Sequence, residues 1–365
     1  MTRIEPYSDK DVKSVLENLL KDEQFLTFIK DNLNSSTSKF LSIPGSKFLA
    51  LQLFKSKVRN INTIKAFQDQ VKIVLRSVIN KTMDEFNFTG VDQLDINKPY
   101  LFIGNHRDIT LDSALCNHSI DSIGLDTTHN AIGDNLVSIK WMGDLLRLNK
   151  SFVISRKGES KKDIYNNLFK ASDFIKNTLG SGKHVWIAQR QGRAKDGIDK
   201  TDSAVLKMLH IALRKNTDFE DLTKYYNLIP CSVSYEFDPL AKEKAKQGIE
   251  GENKREGDDI KHIFKGIMEP KGFVHLSLGE QIKGSFSPDE LAKEIDKSIL
   301  NNYKIWETNM YAYKYLYDKV EMTTSFPRAS NYFNDLRTSM TNKELEYIMT
   351  QYANPLVAKG KLKNE

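Results

Sequence analysis

The chain lacks the marks of several large protein classes. Its two cysteines, Cys116 and Cys231, stand far apart in 365 residues. That is too few for a disulfide framework, they lack the paired spacing of a metal knuckle, and a reducing compartment is expected. No run approaches about 18 uncharged apolar residues, so no membrane-spanning helix is expected. The first residues, "MTRIEPYSDKD", carry no apolar stretch of the kind a secretory signal needs, which points to the cytosol. There is no internal repeat and no low-complexity segment. Charge of one sign is also scarce: 54 Lys and Arg against 48 Asp and Glu leave a net +6, with the two signs interleaved. Such a balance suits an anionic small molecule or an anionic lipid surface, and it falls short of a nucleic-acid footprint. His118, His129, His184, His210, His262 and His275 show no metal-ligand spacing and are expected to be structural or at the surface, so no metal site is expected.

What is present is the composition of a soluble globular protein, 39% hydrophobic and 28% charged, long enough for one large domain or two ordinary ones. Residues 9–32 show helical periodicity, with Val12, Val15, Leu16, Leu19, Leu20 and Phe25 near one face, and 63–84 read as a second helix. Short apolar runs follow: "YLFIGN" (100–105), "SFVISR" (151–156), "HVWIAQ" (184–189), "LIPCSVSYE" (228–236) and "FVHLSLGEQI" (273–282). Each has the length and the β-branched or aromatic content of a buried strand. Helical patterns at 112–120, 160–178 and 203–215 separate most of them. Strands alternating with helices predict an α/β fold with a mostly parallel central sheet.

Ser287-Pro288-Asp289-Glu290 then signals a helix start, with an N-cap serine, proline in the first turn and acids beside it. The organisation expected is a helical N-terminal region over 1–88, an α/β core over 89–285 and a helical C-terminal region over 286–365. The charged stretch 241–263 reads as a surface excursion between two strands. Residues 38–59, apolar and basic without an acid, suit either a segment lying on anionic lipid or a helix packed on the sheet.

The richest segment is "NHRDITLDSALCN" (105–117). His106-Arg107-Asp108 matches the opening of a kinase catalytic loop, but the magnesium-binding Asn due five residues after the Asp is Ser113. No Gly-rich phosphate loop precedes it and no Asp-Phe-Gly follows. Kinase chemistry is excluded. Acyl transfer fits better, because moving an acyl group from a thioester to a hydroxyl needs a base for the alcohol proton. Histidine titrates near neutral pH and can fill that role. A carboxylate on its other nitrogen would fix the tautomer and stabilise the imidazolium.

Four blocks in order carry a resemblance to the glycerolipid acyltransferases, the superfamily of lysophosphatidate and glycerol-3-phosphate acyltransferases. The first is "FTGVDQLDINKPYLFIGNHRDITLD", with Gly90 and Leu94 ahead of a strand that ends at His106. The second is "SFVISR", a strand ending in Arg156. The third is "VWIAQRQGRAKDG", similar to an apolar strand followed by Glu-Gly-x-Arg, and the fourth is Ile229-Pro230 opening "LIPCSVSY". A later Gly279 and Ile282 match a further "G-x-x-I", so the blocks span about 90 to 285.

Two departures stand out. Five residues separate His106 from Asp112 where the family has four, and the third block has Gln191-Gly192-Arg193 with no Glu. Asp108 is too near to be the usual partner, and the helix start "DSAL" favours Asp112. The resemblance implies His106 and Asp112 as the catalytic pair, and Arg156, Gly192, Arg193 and Arg107 on the substrate side, although Arg107 by itself suits phosphate or solvent equally. It implies an O-acyltransferase that takes a fatty acyl group from acyl-CoA or acyl-carrier protein to a lysophosphatidate or glycerophosphate-type acceptor in phospholipid synthesis. No cofactor beyond the acyl donor is implied, and the protein would be peripheral on the cytoplasmic face of an anionic membrane. A different hydroxylated or amino-acid lipid as acceptor, or a non-catalytic lipid-binding role, are the alternatives the missing Glu leaves open.

Overall fold

In the computed structural model the described residues are 3–27, 52, 55–56, 58–251, 257–318 and 326–362. Along the chain they form α1 (Asp9–Leu19), α2 (Ile64–Thr82), β1 (Met83–Thr89), β2 (Leu101–Gly104), α3 (Leu111–Asp121), β3 (His129–Gly133), α4 (Lys140–Leu148), β4 (Ser151–Ile154), α5 (Lys161–Gly180) and β5 (Val185–Ala188). Then come α6 (Ser203–His210), β6 (Leu228–Tyr235), α7 (Ala241–Glu250), α8 (Asp258–Met268), β7 (Gly272–Leu278), α9 (Pro288–Asn302), α10 (Glu307–Tyr313), α11 (Pro327–Arg337) and α12 (Asn342–Leu362). The protein is α/β, its strands mostly parallel and flanked by helices.

The chain divides into two compact units, residues 1–74 with 129–167, and residues 75–128 with 168–365. In the smaller unit β3 and β4 pair in parallel. The N-terminal segment adds to β4 through the Val153 N–H to Ile4 carbonyl bond (2.9 Å), and the Tyr7 hydroxyl donates to Asp144 on α4 (2.7 Å). The helix expected over 9–32 is interrupted. α1 ends at Leu19, and a new turn starts where the Asp22 carboxylate accepts the Phe25 N–H (2.9 Å). A side-chain oxygen three residues before a free N–H is an N-cap, and it restarts a helix at a new angle. The stretch 38–59 lies outside the described residues except for 52, 55, 56, 58 and 59.

In the larger unit five strands lie in the order β1-β7-β6-β2-β5. β2 pairs in parallel with both β5 and β6, and β1 with β7, while β6 and β7 are antiparallel. β2 is buried along its whole length, as a central strand covered on both faces must be. Phe102, Leu111, Leu115, Ile120, Ile229 and Leu276 belong to one core cluster between sheet and helices. Cys116 and Cys231, remote in sequence, share that cluster as free thiols. Hydrogen bonding to Cys116, together with burial, pushes the Cys231 thiol well up.

The stretch 241–263 is not a surface excursion. It enters two helices, α7 and α8, with Ala241, Lys244, Ala245, His262 and Ile263 buried. Ala241 and Ala245 join the cluster built by Phe333, Ile348, Met349 and Ala353 of the C-terminal helices. Lys244 is fully buried because its ammonium meets Asp238 at 2.5 Å. A lysine that finds such a partner can leave solvent, and a count of charges along the chain does not reveal the partner. β1 and β3 are also strands that the sequence pattern conceals. β1 reads "MDEFNFT", with mostly part-exposed or exposed residues, and its pairing with β7 makes it a strand.

Candidate active site

The site begins where β2 ends. Gly104 is in register with Ala188, the last residue of β5, and with Cys231 in the middle of β6, so the chain leaves the sheet at the carboxyl ends of β2 and β5, the kind of edge where α/β sheets bind ligands. Asn105 extends the pairing with its side chain: Oδ1 accepts the Val233 N–H (2.8 Å), and Nδ2 donates to the Val233 carbonyl (3.0 Å) and to Asp199 Oδ2 (3.1 Å). This frees the backbone to turn away from the sheet without leaving buried polar groups unpaired.

The next seven residues close on themselves. Asp108 Oδ1 accepts the N–H groups of Thr110 and Leu111, both at 2.8 Å, an Asx turn that starts α3. Asp112, in the first turn of α3, faces back. Its Oδ2 accepts the N–H of Arg107 (2.7 Å) and of Asp108 (2.9 Å) and lies 3.1 Å from His106 Nδ1. The fifth residue between His106 and Asp112 is taken up by the turn that Asp108 closes.

A carboxylate acceptor places the proton on His106 Nδ1 and leaves Nε2 with its lone pair. Nε2 has no hydrogen-bond partner among the described residues, and the ring is 17% exposed against 2% for the Asp112 side chain. Burial pushes the Asp112 carboxyl above the usual carboxylate range, while the bond to His106 and the Asp108 N–H pull it back. Three donors converging on one oxygen favour the anion, as an orienting carboxylate requires. The Tyr235 hydroxyl, at 3.4 Å from Asp112 Oδ1, adds a long contact.

Arg107 turns inward and is buried. Its guanidinium donates to Asp199 Oδ2 (2.5 Å) and the Gly197 carbonyl (3.1 Å), and it lies over the Tyr303 ring at 5.0 Å. The expectation that it serves the substrate side gives way to a buried anchor: its charge is already matched by a carboxylate.

The segment it anchors follows β5. Its backbone stays with β2, through Gln189 N–H to the Gly104 carbonyl and Ala194 N–H to the His106 carbonyl, both at 2.8 Å. Gly192 is exposed and sits at φ +75°, a left-handed turn that glycine adopts without strain. Arg193 follows, only 6% exposed. Its Nη2 lies 3.1 Å from His262 Nδ1 on α8, and Nη1 has no partner among the described residues.

The far side of this segment rests on α12. The Asn354 amide donates to the Asp196 carbonyl (2.8 Å). Pro355 lies inside α12 and has no N–H for the Gln351 carbonyl one turn back. Gly197 packs against that carbonyl, where any Cβ would overlap the oxygen. Arg156 lies two residues past β4 in the smaller unit and is exposed.

Sequence patterns single out His106, Asp112, Gly192 and Arg193, but they pass over Asn105, Asp199, His262 and Asn354. Asn105 had a signal, since an amide at a strand end beside a histidine must bond somewhere. The other three reach the site from 87 or more positions beyond Asp112, and nothing local marks them.

Residues 85–197 match the family model described as Acyltransferase. No curated protein matches the chain. Seven chains of solved structures match it. One is the 1-acyl-sn-glycerophosphate (LPA) acyltransferase PlsC from Thermotoga maritima, with 16% identity and a TM-score of 0.40, over 65% of this chain and 78% of that one.

Proposed function

We propose that this protein, whose residues 85–197 form a domain of the acyltransferase family in the glycerolipid acyltransferase superfamily, moves a fatty acyl group from a thioester to the hydroxyl of a lysophosphatidate or glycerophosphate-type acceptor. The observation that carries the reading is the His106–Asp112 pair at 3.1 Å with Nε2 left open at the end of β2. In this reading the acceptor hydroxyl oxygen attacks the thioester carbonyl carbon, and Nε2 takes the hydroxyl proton as the new C–O bond forms. As the C–S bond breaks, the same proton passes to the departing thiolate. Asp112 keeps the ring in the required tautomer and stabilises the imidazolium. The chain supplies no nucleophile of its own.

The donor is acyl-CoA or acyl-carrier protein, and no cofactor is needed besides it. On the acceptor side, Arg193 holds the phosphate, with Gly192 giving the turn that presents it. No helix among the described residues is long and apolar enough to cross a membrane. A peripheral position on the cytoplasmic face of an anionic membrane fits a lipid acceptor.

A second reading, an acceptor without a phosphate such as an amino-acid lipid, draws on the burial of Arg193 and its engagement by His262. The test incubates the full chain with palmitoyl-CoA, or with palmitoyl-acyl-carrier protein, and a panel of lysophosphatidate, glycerol 3-phosphate and phosphate-free hydroxylated lipids, products being read by mass. Product with lysophosphatidate or glycerol 3-phosphate supports the first reading. Product only with phosphate-free acceptors moves the second ahead. No product from any pair would leave a lipid-binding relative without catalysis.

A further inference from the structure

The two buried arginines of the site differ in one respect, the chemistry of their partners. Arg107 faces a carboxylate, Asp199, at 2.5 Å. Its positive charge is matched on the spot. Arg193 faces an imidazole, His262 Nδ1, at 3.1 Å. To accept from a guanidinium, Nδ1 must carry a lone pair, so His262 is neutral with its proton on Nε2. Arg193 is therefore held by a neutral acceptor, with no carboxylate paired to it among the described residues, and its Nη1 remains buried and unpartnered. A fork fixed at one tine by a neutral acceptor keeps its full charge and its second tine for an incoming anion.

We infer that His262 is a positioning residue for the acceptor phosphate, acting through Arg193. The inference rests on the acceptor reading proposed above and adds to it a residue outside the four sequence blocks. His262 is well placed for such a role. It is 8% exposed and sits on α8, which also backs the other loop of the site, because Gly266 packs directly on the Asp108 carboxylate. α8 is bound to α7 by Lys265 and Glu243 at 2.5 Å, and α7 is anchored by the buried Lys244–Asp238 pair. α8 thus touches both loops, that of His106 through Gly266 and that of Arg193 through His262. Among the described residues the charged groups facing His262 are Arg193, Glu243, Asp258 and Asp259.

Steady-state kinetics of the full chain, with palmitoyl-CoA as donor and a lysophosphatidate as acceptor, test the inference. His262→Ala should raise the acceptor KM about tenfold, the worth of one charge-assisted bond, with kcat and donor KM little changed. His262→Gln, whose amide oxygen can accept the same bond, should restore most of the affinity. His262→Glu should not restore it, although it also accepts, because a carboxylate cancels the charge the phosphate needs. Acceptor KM should also rise as pH falls, when a protonated His262 can no longer accept, and this limb should be absent in His262→Gln.

A normal acceptor KM in His262→Ala, with a raised one in Arg193→Ala, would overturn the inference and leave the acceptor reading standing. Equal KM values for the Gln and Glu variants would also overturn it, since the neutrality of the partner would then not matter. If Arg193→Ala itself binds acceptor normally, the acceptor reading fails and the inference falls with it. Thermal melts of each variant separate loss of fold from loss of affinity.

Discussion

The loops that follow β2 and β5 end side by side, yet they are held by opposite means. Within the β2 loop the turn that joins His106 to Asp112 is closed by short-range bonds, with Asp108 to Thr110 and Leu111, and Asp112 to His106, Arg107 and Asp108, none reaching more than 6 residues along the chain, although Asn105 just ahead of it bonds across the sheet to Val233. The β5 loop is fastened from far away: Arg107 reaches Gly197 across 90 residues, His262 reaches Arg193 across 69, and Asn354 reaches Asp196 across 158. A proton-transfer pair needs its geometry held within tenths of an ångström, and a tight local turn provides that directly. The β5 loop depends instead on elements far off in sequence, so its position rests on the tertiary fold.

The sharpest way to break the comparison is at the β2 loop. His106→Ala should lower kcat by about 10²–10⁴-fold, the usual loss of a general base, with an unchanged thermal melt, because the ring is part-exposed and fills no core position. Near-normal turnover would sink the proposed mechanism.

The two aspartates of the same loop should then separate. Asp112→Ala removes the acceptor of two buried N–H groups, at about 1–3 kcal/mol each, and the partner of His106, so stability and kcat should fall together. Asp108→Ala removes an Asx turn at a helix start, about 1 kcal/mol, and should leave most of kcat. Urea unfolding and turnover of the two variants provide the measurement, and equal losses of kcat would erase the distinction.

At the β5 loop the glycines make a matched pair. Gly192 and Gly197 have φ of +75° and +78°, so alanine at either meets the same backbone penalty of about 1–2 kcal/mol. Only at Gly197 would the new Cβ overlap the Gln351 carbonyl. Gly197→Ala should therefore melt well below Gly192→Ala. Equal melting points would mean that α12 does not support this loop.

The smallest effect concerns pH. Burial, and then Arg193, hold His262 below its usual pKa. The unfolded chain binds a proton there near about pH 6.5, while the folded one refuses it until the pH is lower. Stability from this group is thus full above the unfolded value and declines as pH falls through the window beneath it. His262→Gln should flatten that decline in chemical unfolding measured across the window. An unchanged slope would place the titration elsewhere.

Much of this was legible in the residues themselves. β2, β4, β5, β6 and β7 coincide with apolar runs bounded by turns, and α9 begins at the Ser287 capping box that its four-residue signal announces. His106 and Asp112 lie close enough along the chain for a single turn to join them, so sequence spacing alone could nominate the pair. What the sequence could not decide were matters of burial and distant partnership. Arg107 suits phosphate or solvent equally until Asp199 is brought to it. The charged stretch that becomes α7 looks solvated until Asp238 neutralises Lys244 and the C-terminal helices cover Ala241 and Ala245. His262 carries no signal of its own. The physical reason is the same in each case. Local hydrogen bonds are set by spacing along the chain, whereas the fate of a charge depends on which opposite or neutral group the fold sets beside it once water is gone.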